Sequence, residues 1–158
     1  MLKMSDINIK NIHKEINFIH ITKNNICILE KFVSETSDEE IIDYFSTFEH
    51  VKNHFITLIV EENGINIGYC HIIKNNNEYW FGIHIINGHR NKGNGSKIMN
   101  YLLSLPEVIS LGKICLSVEM KNTIAIKLYH KFNFKICCKI KDSKMVERYI
   151  MMKNFGSE

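Results

Sequence analysis

Arg90-Asn91-Lys92-Gly93-Asn94-Gly95-Ser96 packs two glycines, two cations and a run of backbone N–H groups into seven residues, between an apolar run at 80–86 and an amphipathic stretch. Such a segment can hold an anion. The glycines let the main chain turn its N–H groups toward a phosphate, a helix starting there adds the positive end of its dipole, and Arg90 and Lys92 add whole charges. The same residues also make an ordinary strand–turn–helix connection, so the choice between the two depends on the next part of the chain. That part is an apolar strand, Ile114 to Met120, and then Asn122-Thr123-Ile124-Ala125-Ile126-Lys127-Leu128-Tyr129-His130-Lys131-Phe132-Asn133-Phe134. Asn122 suits a helix cap, and Tyr129 brings a phenol that can donate a proton.

The ordered combination of strand, R-x-x-G-x-G, helix, strand and N-x-x-A-I-x-L-Y-x-K-x-x-F resembles the GNAT superfamily of acyl-CoA N-acyltransferases, over about Glu78 to Lys135. One position departs from the pattern. Asn133-Phe134 stands where the family commonly has Gly-Phe, and Asn is the next best residue for a left-handed helix end. The resemblance implies an α+β GNAT fold: a mixed, mostly antiparallel central sheet of about six or seven strands, splayed central strands, and helices on both faces. It implies acetyl-CoA as cosubstrate and no metal. The main chain of Ile83, His84 and Ile85 would hold the pantetheine amides and the thioester carbonyl. The pyrophosphate would lie on Arg90, Asn91, Lys92, Gly93, Asn94, Gly95 and Ser96, Asn122 would touch the cofactor, and Tyr129 would stand beside the sulfur as general acid.

Direct acyl transfer needs a neutral amine, stabilisation of the tetrahedral oxyanion and a proton for the departing thiolate. A phenol of pKa ~10 and a thiol of pKa ~8.5 are close enough for Tyr129 to serve the last, although it can also be read as a packing residue of its helix. The base is harder to place. Tyr79 and Phe81 occupy the positions where several subfamilies carry a Glu or His. His84 has the opposite strand parity, facing the side of Trp80 and Gly82, and reads as a satisfied core histidine. Ser117 falls where ribosomal-protein-type members carry a Glu, which leaves Glu119, two residues on and on the same face, as the nearest carboxylate. Glu35, Asp38, Glu39, Glu40 and Asp43 offer charge for a cationic acceptor, or simply a solvated helix start. The expected reaction is acetyl transfer to a primary amine of a small molecule such as an amino sugar, a polyamine or an amino-acid-like compound. A protein N-terminal or lysine acetyltransferase is the alternative, and a non-catalytic acyl-CoA sensor a second.

These groups must be positioned by elements legible in the periodicity. Residues 16–21 read as a strand, 24–34 and 38–48 as helices, with Ser37 capping the second. Strands at 57–62 and 65–73 flank Asn63-Gly64, a strong hairpin signal, and a turn at 74–77 leads to a strand at 79–86, so this part reads as a meander. A helix at 95–105 stops near Pro106, a helix at 123–132 comes after the strand at 114–120, and a strand pair at 134–140 and 146–152 closes the pattern. The 158 residues read as one N-acetyltransferase domain, with acceptor-side helices at about 24–50 and an acetyl-CoA-binding core at about 78–135. A formal charge of +3 with scattered basic residues argues against nucleic acid as a partner. No apolar run reaches the ~20 residues a membrane span needs, and Met1–Lys10 lacks a secretory stretch, so a cytoplasmic location is expected. Cys27, Cys70, Cys115, Cys137 and Cys138 lack zinc spacing and read as reduced, mostly buried thiols. A homodimer is left open.

Overall fold

The computed structural model describes residues 15–45, 51 and 53–156. In chain order it forms β1 (Ile16–His20), α1 (Ile26–Glu35), α2 (Glu39–Tyr44), β2 (His54–Glu62), β3 (Ile65–Asn75) and β4 (Glu78–Ile85). Then come α3 (Asn94–Ser104), α4 (Pro106–Ile109), β5 (Lys113–Glu119), α5 (Thr123–Lys131), β6 (Lys135–Lys141) and β7 (Glu147–Asn154). The N-terminal stretch Met1–Lys10 and the expected end of the second helix at 46–48 lie outside the described residues.

Seven strands make one sheet in the order β1-β2-β3-β4-β5-β7-β6. Every pairing is antiparallel except β4 with β5. The β2–β3 hairpin turns on Asn63 and Gly64 with φ of 51° and 80°, the left-handed pair that a two-residue loop needs to match strand twist. The meander is therefore as expected. The closing pair is not a simple extension of it, because β7 inserts between β5 and β6 and leaves β6 at the sheet edge.

Alternation along the strands sends Leu58, Val60, Cys70 and Ile72 into one apolar cluster with Ile98, Met99 and Leu102 of α3. Ile59 and Tyr69 face the other way and pack with Leu29, Phe32, Ile41 and Phe45 from the α1–α2 segment. Helices thus cover both faces. α5 ends as a Schellman motif: Phe134 N–H bonds Tyr129 O at 3.0 Å, Asn133 N–H bonds His130 O at 3.0 Å, and Asn133 takes φ 64°.

Three local expectations change. Asp38, not Ser37, caps α2, its side chain accepting the Glu40 N–H at 3.2 Å. Pro106 does more than end a helix: its fixed φ and missing N–H suit a first helical position, and it opens the short α4. Only Cys70 and Cys115 are buried; Cys27 on α1 is exposed, as are Cys137 and Cys138 on β6, a strand exposed along its whole length, and all five are free thiols. Among the described residues no helix is long and apolar enough to cross a membrane.

A row of rings lies on the α1–α2 side of the sheet. His71 stacks on His54 and Tyr44 at centroid distances of 4.6 and 5.1 Å, and fits only because Gly82 opposite has no side chain: a Cβ there would meet the His71 ring at 2.5 Å. The Tyr44 hydroxyl stands 2.8 Å from His54 Nε2 and 3.2 Å from His71 Nε2, so it donates to one ring and accepts from the other. Burial, helped by His54, drives the His71 pKa down to about 3. The folded state thus holds His71 neutral while the unfolded chain takes up a proton below pH ~6.5. Stability from this group is complete above that pH and is lost on acidification, by at most about 1.4 kcal/mol per pH unit. Urea unfolding of the wild type should show about 1 kcal/mol less stability at pH 5.5 than at pH 7 from this source, and His71→Gln should flatten that dependence. Equal pH slopes for the two proteins would place the dependence elsewhere.

Candidate active site

Parallel strands β4 and β5 are in register only at Trp80 and Cys115. Beyond that pair the strands diverge, leaving main-chain groups of Ile83 to Ile85 without a β5 partner. The gap opens into a cleft of about 740 Å³ lined by Ile83, His84 and Ile85 on one wall and Asn122, Leu128 and Tyr129 of the α5 segment on the other. The loop between β4 and α3 closes one end with Arg90, Asn91, Gly93, Gly95 and Ser96. Gly93 caps α3 with φ 81°, a left-handed conformation that costs a residue with a Cβ ~1–2 kcal/mol. The α3 N-terminus is thereby turned into the cleft. Gly95 keeps α3 close to α5, since a Cβ there would come within 2.9 Å of Leu128 Cδ2.

Two residues of the loop stay out of the lining. Lys92 is exposed, and Asn94 is buried with its Nδ2 donating to His89 O at 3.0 Å. Arg90 lines the cleft, yet its guanidinium turns back: Nε donates to Ile85 O at 2.5 Å, and Nη2 lies 3.4 Å from Asp38 Oδ2 and 3.1 Å from His84 Nε2. Its charge therefore reaches the start of α2 as well as the loop. Lys131, whose Nζ donates to Ser96 Oγ at 3.4 Å, brings a further cation to the start of α3. The sequence shows Lys131 inside the second motif, but only the fold reveals its nearness to the loop.

His84 is not a core histidine. Its ring has a carboxylate on each nitrogen, Asp38 Oδ2 at 3.0 Å from Nε2 and Glu40 Oε2 at 3.3 Å from Nδ1, and so ties β4 to the start of α2. Burial works to raise the Asp38 pKa, but the hydrogen bond and charge of His84, with Arg90, hold it below the usual carboxylate range. Asp38, Glu40 and His84 are also the one group among the described residues whose ligand atoms lie close enough to hold a metal ion. The Arg90 guanidinium against them opposes a further cation. Glu40, 80% exposed at its side chain, is the carboxylate this cluster presents to the cleft.

On the opposite wall Asn122 caps α5, accepting the Ala125 N–H at 3.1 Å. Tyr129 packs edge-on to Phe81 at 6.2 Å, and burial raises its pKa to about 12. That changes the chemistry expected of it. Against a thiol near 8.5, a phenol at about 12 is the weaker acid by ~3.5 pH units, or about 5 kcal/mol. The same apolar surroundings raise a thiol too, so hydrogen-bond donation to developing thiolate charge fits better than outright proton loss. Glu119 also lines the cleft, but Lys121 Nζ at 3.3 Å and Arg148 Nη1 at 3.8 Å flank its carboxylate. Arg148, which no sequence motif marks, also donates from Nε to Ser117 Oγ at 2.8 Å.

A strand split beside a glycine-rich helix start, with a buried phenol on the cleft wall, has the shape and the N–H groups to suit an extended anionic ligand. A sequence model described as the acetyltransferase (GNAT) family matches residues 20–134. The chain belongs to that family and is an acetyl-CoA-dependent acetyltransferase. Solved structures agree on the fold. Salmonella typhimurium yncA with its cofactor acetyl-CoA shares 16% identity over 91% of this chain and 96% of that one, with a TM-score of 0.62. Vibrio cholerae spermidine N-acetyltransferase in complex with CoA and spermine gives 17%, 88%, 95% and 0.63. Ribosomal-protein-alanine N-acetyltransferase of Brucella melitensis gives 15%, 88%, 99% and 0.65. No match is found among the curated proteins.

Gly93 offers the direct test of the loop. Replacement by Val, a β-branched residue at positive φ, should weaken acetyl-CoA binding about tenfold, on the order of 1.4 kcal/mol, with Asn costing less than Ala and Ala less than Val. Calorimetric titration reads the series, and equal affinities throughout would reduce the loop to a turn.

Proposed function

We propose that the cleft transfers acetyl from acetyl-CoA directly to a primary amine of a small, cationic molecule. The split of β4 from β5 beside the 90–96 loop carries this reading. Pantetheine adds along the edge of β4 that β5 leaves at Ile83 to Ile85, where Arg90 Nε already takes up Ile85 O, as an extra strand would, and the pyrophosphate meets the N–H groups opening α3. Main-chain N–H groups near Ile83 and Ile85 serve the oxyanion, and Tyr129 donates to the sulfur as its charge grows. Glu40, open to solvent on the cleft wall, supports an acceptor of positive charge. Glu119 lies on the cleft wall with its oxygens ion-paired to Lys121 and Arg148, and an amine that arrives neutral needs no base from the chain.

An amine panel scored by release of free coenzyme A thiol tests this reading. Small amines should give turnover and peptide N-termini little; the reverse would favour the protein acetyltransferase, and acetyl-CoA binding without turnover a sensor. Tyr129→Phe keeps the ring packing and should leave acetyl-CoA affinity intact while lowering kcat about ten- to a hundredfold. With its pKa at about 12, Tyr129 should add no alkaline limb to the rate profile below about pH 10. Normal kcat in the Phe variant would make the phenol a packing group.

A further inference from the structure

Glu62 ends β2 with a carboxylate only 5% exposed, and the mechanism makes no use of it. Its Oε2 lies 2.9 Å from His89 Nδ1. His89 sits in the loop that joins β4 to α3, one residue before Arg90, and neither His89 nor Glu62 lines the cleft. The loop is conformationally demanding. Gly88, Asn91 and Gly93 take φ of 86°, 59° and 81°, so three of its residues occupy the left-handed region, one of them with a side chain. Such a segment keeps one shape only where its surroundings fix it. His89 supplies fixings from all three of its polar groups: N–H to Ile86 O at 3.2 Å, carbonyl accepting Asn94 Nδ2 at 3.0 Å, and imidazole on Glu62. The buried Asn94 begins α3, so this one residue joins the end of β2, the end of β4 and the helix start.

We propose that His89 is a positioning residue for cofactor binding: clamped by Glu62 and Asn94, it presents the 90–96 N–H groups already aimed at the pyrophosphate. The proposal rests on the reading of that loop as the pyrophosphate site. Preorganisation of this kind shows in affinity for the phosphate-bearing part of the cofactor and leaves the thioester end untouched. S-acetylpantetheine, which has the thioester arm without pyrophosphate or nucleotide, separates the two.

Acetyl-CoA and S-acetylpantetheine are titrated calorimetrically into the wild type, His89→Ala and His89→Asn. The Asn amide nitrogen is as many bonds from Cα as Nδ1, so it can still donate to Glu62. His89→Ala should bind acetyl-CoA about tenfold more weakly and S-acetylpantetheine as the wild type does, and His89→Asn should recover most of the loss. Amide hydrogen exchange at 91–97 should quicken in His89→Ala and return in His89→Asn. Unchanged acetyl-CoA affinity in His89→Ala, or equal losses for both ligands, overturns the positioning role. A wild type that binds S-acetylpantetheine and acetyl-CoA equally well overturns the pyrophosphate reading instead.

Discussion

Two neighbouring parallel strands that are in register at a single pair and then part are the feature on which the site depends. A sheet interior normally leaves no main-chain group without a partner, because burying an unpaired N–H or C=O is costly. Here the parting strands leave main-chain groups of Ile83 to Ile85 without a β5 partner beside an open cleft; Arg90 Nε takes up Ile85 O, and a ligand with amides of its own can pair with what remains. The α3 start, α5 and the 86–93 loop stand around that row. They are held to each other by Gly95 against Leu128, by Lys131 on Ser96, and by Asn94 on His89.

The start of α2 is joined to the cleft differently. Around the Asp38 helix cap lies a cluster of charged side chains in which Arg90 and His84 hold Asp38 and Glu40 against the end of β4. Arg90, a residue of the glycine-rich loop, is therefore also committed to the start of α2. Loop and helix thus share one electrostatic junction, and changes at Asp38 or Arg90 will be felt by both.

Most of the fold was legible because its signals are local. Asn63-Gly64 names its turn, Asn122 its cap, Asn133 its helix end, and strand alternation sorts Leu58 and Val60 from Ile59. The cleft residues were legible because two motifs put most of them on contiguous stretches. What the sequence hid is long-range. His84 was assigned to the correct strand face, but its partners lie 46 and 44 residues away on α2, and no spacing rule predicts them. Arg148 reaches Ser117 and Glu119 only because β7 lies beside β5. The shift of Tyr129 toward a weaker acid comes from burial, a property of the assembled core.

The strand order implies something about how the chain acquires its shape. β7 is made after β6 yet lies between it and β5, so the half of the sheet that carries α5 lacks its middle strand until residues 147–154 have emerged. During synthesis β1 to β4 can pair in the order they appear, whereas β5 and β6 must wait, with β5 presenting Ile114, Leu116 and Val118 to whatever is nearby. Pairings this distant in sequence form slowly, and that waiting interval is when the growing chain is most exposed to misassociation. The strand that joins β5 to β6 is thus also the one that ends this vulnerable stage.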